Sequence, residues 1–197
     1  MAPEVTSAHG DSPVYLRLSS FANSATVTID QPANPAFTPI TVTIPPNSSQ
    51  TVDLSAFLAT TENTPPDQVL NYGYRIRSNQ IISAYYEVFT SCQCNPEIFA
   101  LKGRNALGTD FRIPFNNFWS NGSYNPPALT AIDIVATEDN TTVTITPSQN
   151  VVGHPAGVPY QVVLNKGQTY SAAATGTSAA SQLGGSVVTS DKPIAVT

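Results

Sequence analysis

The sequence predicts an all-β fold made of two tandem β-sandwich-like units joined by a bridging section of strands and loops. Short apolar runs alternate with threonine and other polar residues along most of the chain, which is the pattern of strands with one buried face. The same order of runs occurs twice with nearly equal spacing. No stretch has the apolar spacing of a long amphipathic helix.

The repeat is carried by four pairs of segments. In chain order they are 23–29 with 139–145, 39–44 with 159–164, 49–52 with 167–170, and 73–82 with 185–194. The first pair reads NSATVTI and DNTTVTI, so both copies begin at a turn residue and continue as an alternating strand. Such duplication of a strand-rich unit is typical of a scaffold that presents surfaces.

The elements of the first unit follow from its period-2 alternation. Residues 15–18 open it, and 26–29 places Val27 and Ile29 on one face with threonines on the other. Three further features are predicted after these strands, namely a strand at 40–44, a strand at 48–54, and a single helical turn at 55–58 capped by Asp53. Residues 72–88 are predicted to form a hairpin with its turn near Ser78 and Asn79, because asparagine tolerates the left-handed backbone conformation of such turns.

A bridging section separates the two copies. Residues 97–101 and 109–115 are strand candidates, and 103–108 is predicted to turn. The predicted division is a disordered leader at 1–12, a first β unit at 13–90, the bridging section at 91–128 and a second β unit at 129–197. Residues 1–6 lack the basic and apolar regions of a signal peptide, so for an exported protein we expect the signal peptide to have been removed. Residues 192–197 resemble a strand that is cut short, so we expect the chain to be part of a longer protein.

Composition narrows the classes of partner. Only 11% of the residues are charged, against about 25% in an average soluble domain, and Ser, Thr, Asn and Gln are abundant instead. The net charge of −5 argues against nucleic acid, which needs a basic stripe. No apolar run reaches the roughly 18 residues of a membrane-spanning helix, so we expect no direct membrane insertion.

Cysteines and histidines give little support for a metal or cofactor. Cys92 and Cys94 flank one residue, which is compatible with two reduced thiols or with a small, strained disulfide ring. His9 falls in the predicted leader and His154 in a Gly/Pro loop, so neither completes a zinc site with the cysteines. We expect no cofactor and no metal.

Two other chemistries are less favoured alternatives. Glu138, Asp139 and Asn140 supply hard oxygens in one turn, but calcium requires six to eight ligands and no Asp-x-Asp-x-Asp pattern is present. An isopeptide crosslink needs a lysine beside an asparagine. Its candidate lysines are Lys102, Lys166 and Lys192.

The sequence does not predict an enzyme. Nucleophilic catalysis requires a Ser or Cys beside an oriented histidine, and the chain has neither a Gly-x-Ser-x-Gly elbow nor a histidine outside predicted loops. Paired carboxylates of a glycan hydrolase stay an alternative. Asp30, Glu138, Asp139 and Asp191 fall at predicted turns, where turn formation and solvation explain them better.

A loop rich in aromatic and amide residues is the best candidate for a ligand site. Phe118, Trp119, Asn121 and Tyr124 lie between the predicted units. Aromatic faces with nearby amides suit sugar rings, which present C–H faces and hydroxyl rims. The alternative, which we favour, is that Phe115, Phe118 and Trp119 plug the junction between the units.

Three stretches together resemble the N-terminal domain family of IgGFc-binding protein, in its bacterial surface-protein form. They are 97–111, 136–145 and 164–196. The resemblance covers most of the chain from about residue 71 and implies an extracellular β-rich module that precedes adhesion or sorting domains. It implies no ligand-binding motif, and antibody binding does not follow from the family name.

The sequence therefore predicts a non-catalytic extracellular binding or adhesion module at the cell surface. Its expected partners are an extracellular protein or glycan and neighbouring domains of the same chain. The alternatives are a carbohydrate-binding module, a glycan-acting enzyme region, and assembly by exchange of a strand with a neighbour.

Overall fold

The computed structural model describes residues 14–88, 97–115, 118, 120, 122 and 128–197. They form an all-β fold of antiparallel sheets with three short 3₁₀ helices, which confirms the predicted fold class. The strands are β1 Val14–Ser20, β2 Ala25–Asp30, β3 Ile40–Ile44, β4 Ser49–Asp53, β5 Val69–Leu70, β6 Arg75–Ser78, β7 Ile82–Val88, β8 Glu97–Ala100, β9 Gly108–Arg112, β10 Ala131–Ala136, β11 Thr141–Thr146, β12 Tyr160–Leu164, β13 Thr169–Ala173 and β14 Val187–Val196. The 3₁₀ helices are η1 Ser55–Thr60, η2 Gly103–Ala106 and η3 Ala179–Ser181.

The first sandwich consists of two sheets with strand orders β4-β1-β7-β8 and β3-β2-β6. Their inward-facing residues alternate along each strand and merge into one apolar cluster. Leu18, Val27, Ile29 and Ile44 in that cluster are fully buried. Because its members come from both sheets, the two sheets pack face to face.

The second sandwich repeats this plan within one continuous sheet. Strand β14 pairs with β11 over its first residues and with β10 over its last, so it passes from one layer to the other. A register shift in its pairing with β9 marks this passage. The enclosed cluster contains Ile134, Val143, Ile145 and Leu164, all fully buried.

Strand pairing in the two sandwiches is equivalent. In the first sandwich β1 lies between β4 and β7. Its counterpart in the second is β10, which lies between β13 and the end of β14. Likewise β2 lies between β3 and β6, and its counterpart β11 lies between β12 and the start of β14. The two alternating TVTI strands therefore occupy the same position, and their valine and isoleucine side chains point inward in both.

The predicted hairpin over 72–88 is wrong. β6 pairs with β2 and β7 pairs with β1, so the chain crosses from one sheet to the other at the expected turn. The side chain of Asn79 explains the position of this crossing, because its Oδ1 accepts the Thr26 N–H at 2.8 Å. Asp191 accepts the Thr142 N–H at the same distance in the second sandwich.

The predicted helical turn after β4 forms as η1. Ser55 donates its backbone N–H to Asp53 Oδ1 at 2.8 Å. A hydrogen bond from the Ser55 hydroxyl, together with this backbone bond, holds the pKa of Asp53 below its usual value. The N-cap of η1 is Leu54 and no side chain caps the helix, so the predicted capping by Asp53 is wrong.

A segment that follows η1 crosses from the first sandwich to the second. Within it, β5 pairs with the outer edge of β13. The bridging section contributes β8 to the first sandwich and β9 to the second. These short strands position the polar contacts described below.

Candidate functional site

The predicted ligand loop lies beside the second sandwich where the structure describes it. Ser120 Oγ accepts the backbone N–H of Ala179 in η3 at 3.1 Å. Phe118 is 86% exposed and belongs to neither apolar cluster, so the favoured prediction that it plugs the junction between the units is wrong for this residue. Trp119, Asn121 and Tyr124 fall outside the described residues, so their assignment to a ligand site stays a prediction.

Sequence reasoning missed a polar cluster between the sandwiches. Asp67 Oδ1 accepts the Tyr170 hydroxyl at 2.5 Å and is 3.1 Å from His154 Nε2. The His154 ring stacks on Tyr160, with centroids 3.4 Å apart and planes 1° from parallel. The only signal in the sequence was His154 itself, one of two histidines, in a loop between strands.

Burial governs the ionisation of this cluster. It raises the pKa of Tyr160 to about 12, and burial together with the bond to Asp67 raises the pKa of Tyr170 further. Both phenols therefore keep their protons at neutral pH, so Tyr170 acts as a donor to Asp67 rather than as a base or nucleophile. The cluster attaches the crossing segment to the second sandwich and does not resemble an activated catalytic group.

The same segment buries a second carboxyl group. Asn63 Nδ2 donates to Asp133 Oδ1 at 3.1 Å, and Asp133 is 2% exposed. Burial raises the pKa of Asp133, while bonds from Asn63 and Ser171 lower it by less. A neutral carboxyl at this position can donate a hydrogen bond across the contact between the sandwiches.

The turn considered for calcium is occupied by a side chain of the protein. Lys192 Nζ donates to the backbone carbonyl oxygens of Asp139 and Asn140. An ammonium group thus takes the carbonyl oxygens that a cation would need. Among the described residues, no group of three or more His, Cys, Asp and Glu side chains is placed to hold a metal ion.

Asp30 differs from its predicted role as a solvated turn residue. It ends β2, is 8% exposed, and receives two hydrogen bonds from Arg75 at 2.9 and 2.7 Å and one from Arg77 at 3.1 Å. The bonds from Arg75 hold its pKa below the usual value against the opposing effect of burial. The group is a structural ion pair.

Strand β8, at one edge of the four-stranded sheet, carries exposed apolar side chains. All four residues of β8 are exposed, including Ile98 at 58% and Phe99 at 52%. Tyr85 and Leu101 beside it are each 39% exposed. Apolar edges of this kind are sites where another strand can pair. Cys92 and Cys94 precede β8 and lie outside the described residues.

Comparison with known proteins identifies one family. The model of the family described as IgGFc binding protein matches residues 99–197, which is half of the chain. No curated protein and no solved structure shows a significant match. In the described part of the chain, no helix is long and apolar enough to cross a membrane.

Proposed function

Because the chain belongs to the IgGFc-binding protein family, we propose that it is a non-catalytic extracellular binding module that adheres to a protein ligand. We further propose that it is displayed at the cell surface as part of a larger bacterial protein. The match over 99–197 is the observation that carries this proposal. It includes β9 to β14, which are the strands of the second sandwich apart from β5.

The physical character of the scaffold supports binding without chemistry. Each sandwich has its own dense apolar cluster, so loops and strand edges are held on a rigid frame. Tyr170 and Asp67 are used in holding the sandwiches together. The charge content of 11% leaves a surface of neutral polar groups, which is compatible with protein or glycan contact.

A binding assay with two readouts tests the proposal. The purified chain is immobilised and exposed to the Fc fragment of immunoglobulin G, the ligand in the family description, and to a panel of extracellular glycoproteins. Saturable binding of an intact protein is expected. Hydrolysis of any panel member by the chain would contradict the non-catalytic role. Surface display is tested separately, by labelling the protein with an antibody on intact cells. Loss of that antibody signal after protease treatment of the cells would support display at the surface.

Carbohydrate recognition by the predicted loop is the second candidate. The exposure of Phe118 favours it, because an aromatic ring open to solvent can stack on a sugar face. On a glycan array we expect a defined preference that Trp119→Ala abolishes while the circular dichroism spectrum stays folded. Loss of the folded spectrum would instead favour the role of Trp119 as a core residue, and turnover of a glycan would favour an enzyme region.

A further inference from the structure

Strand β8 forms an open edge with apolar side chains on both faces. It pairs with β7 on one side, and no described strand pairs with it on the other. Phe99 lies opposite Tyr86 on the inner face, with ring centroids 6.5 Å apart, yet it is 52% exposed. Ile98 lies opposite Glu87 on the outer face and is 58% exposed. A facing sheet covers neither side chain.

The alternation of backbone hydrogen bonds between β8 and β7 determines which backbone groups of β8 are left to bond to an added strand. Leu101 N–H donates to the Ala84 carbonyl at 2.9 Å, so the odd-numbered residues of β8 direct their backbone groups toward β7. Ile98 and Ala100 therefore direct their N–H and C=O groups away from the sheet. These two residues are the ones that an added strand would engage.

We propose that β8 pairs with β8 of a second copy of this chain, in antiparallel register across a two-fold axis. Such an axis stands perpendicular to the sheet, so each residue must face a partner that points to the same side. In the register centred on Phe99, the outward groups of Ile98 pair with those of Ala100 of the second copy. Phe99 faces its own counterpart, as a close pair that makes no backbone hydrogen bonds between the copies.

The ends of the strand favour this register. A shift of two residues toward the C-terminus would set Ile98 against Lys102, whose backbone has already left the extended conformation at φ −81° and ψ 6°. In the proposed register Glu97 faces Leu101 instead. No like charges face each other, and Phe99 stacks on Phe99 over the face that lacks a covering sheet.

The pairing joins two four-stranded sheets into one of eight strands and needs no ligand. Because only about five residues of each copy take part, the interface is small and the association weak, with a dissociation constant from about micromolar to millimolar. Display of many copies on one surface would raise the local concentration and strengthen it.

Sedimentation equilibrium from about 10 µM to about 1 mM tests the association over the expected range of affinity. The chain should dimerise, and Ala100→Pro should weaken dimerisation at least about tenfold, since proline removes an outward N–H that β7 does not use. Ala100→Ser keeps that N–H and should dimerise as the parent does. A chain that stays monomeric at the highest concentration would overturn the proposal.

Disulfide trapping tests the register. With Cys92→Ser and Cys94→Ser as background, Phe99→Cys should give a crosslinked dimer under mild oxidation, because Cα atoms of such a pair lie about 4.5 Å apart. Ile98→Cys faces Ala100 and should not crosslink with itself. A dimer that Ala100→Pro leaves intact, or that crosslinks equally through Ile98→Cys, would refute this pairing. If the chain were monomeric but Ala100→Pro abolished ligand binding, the edge would serve a foreign strand.

Discussion

Asp133 and Asp30 show how two poorly exposed carboxyl groups acquire opposite ionisation behaviour from their neighbours. Asp133 faces an amide and a hydroxyl, so burial dominates and its pKa is raised. Asp30 faces the guanidinium of Arg75, so hydrogen bonding dominates and its pKa is lowered. Each shift links the stability of the fold to pH with a definite sign.

The parent chain should lose free energy of unfolding as pH rises, and we expect Asp133→Asn to prevent this loss. Asp133 binds its proton more tightly in the folded chain, so stability falls as pH rises from the unfolded pKa of about 3.9 through the raised folded pKa. Asparagine has no such ionisation and can still bond to Asn63. Urea denaturation across this window should show a flatter profile for the variant.

Asp30→Asn should have the opposite effect. The lowered pKa of Asp30 stabilises the fold above the unfolded pKa of about 3.9, and this stabilisation is lost as pH falls through the folded value. The variant should therefore be less stable than the parent at pH 7, and the difference should shrink in acid. A difference that is constant with pH would show that the ion pair with Arg75 does not contribute in this way.

At the scale of elements, the segment at 61–73 joins the two sandwiches through backbone contacts. Asp67 N–H donates to the Ser171 carbonyl at 3.0 Å, and Gly73 N–H donates to the Gly167 carbonyl at 3.1 Å. A Cβ atom at Gly73 would lie 2.6 Å from the Gly167 oxygen. The close approach requires glycine here, since a backbone atom cannot move aside as a flexible side chain can.

Gly73→Ala should therefore loosen the contact between the sandwiches. Overlap with the Gly167 carbonyl should cost about 1–3 kcal/mol of unfolding free energy, measured by chemical denaturation. Hydrogen exchange should speed up at Asp67 and along β13. Gly122→Ala is the matched control, because its Cβ would meet only Thr177 Oγ1 at 3.7 Å. Equal stability of the two variants would contradict the packing argument.

Local alternation predicted the strands but not all of their partners. Val27 and Ile29 were assigned to the buried face from their spacing alone, and both are fully buried. The residues around Asn79 suit a tight turn in either of two arrangements. The flanking strands can pair with each other as a hairpin, or they can enter two different sheets, and the local sequence does not distinguish these. That choice depends on Thr26, a residue distant in sequence.

The contacts of Asp67 and Asn63 could not be foreseen for the same reason, because their partners lie more than 60 residues away. Phe118 was predicted from composition to plug the junction between the units, with a ligand site as the alternative, and its high exposure contradicts the first of these. Sequence pattern reports periodicity within an element, whereas contacts across a sandwich depend on the assembled layers.

At the scale of the whole molecule, the duplication gives two separate cores of equivalent construction. Ile29 and Ile145 hold the same position in β2 and β11, and both are fully buried. They belong to different apolar clusters. The described links between the sandwiches include the polar contacts of the segment at 61–73 and its short strand β5. The loop after β2 also approaches the second sandwich, at Ala33 and Gly167. Damage to one core should therefore reach the other only through these few links.

Ile29→Ala and Ile145→Ala test this organisation as a matched pair. Each leaves a cavity in a fully buried site and should destabilise its own sandwich by about 2–5 kcal/mol. Hydrogen exchange should accelerate over β1–β4, β6 and β7 in the first variant and over β10–β14 in the second, because local unfolding follows cooperative units. If either substitution released protection equally in both sets of strands, the two cores would behave as one cooperative unit, and the sandwiches would not act as separate bodies held by the segment between them.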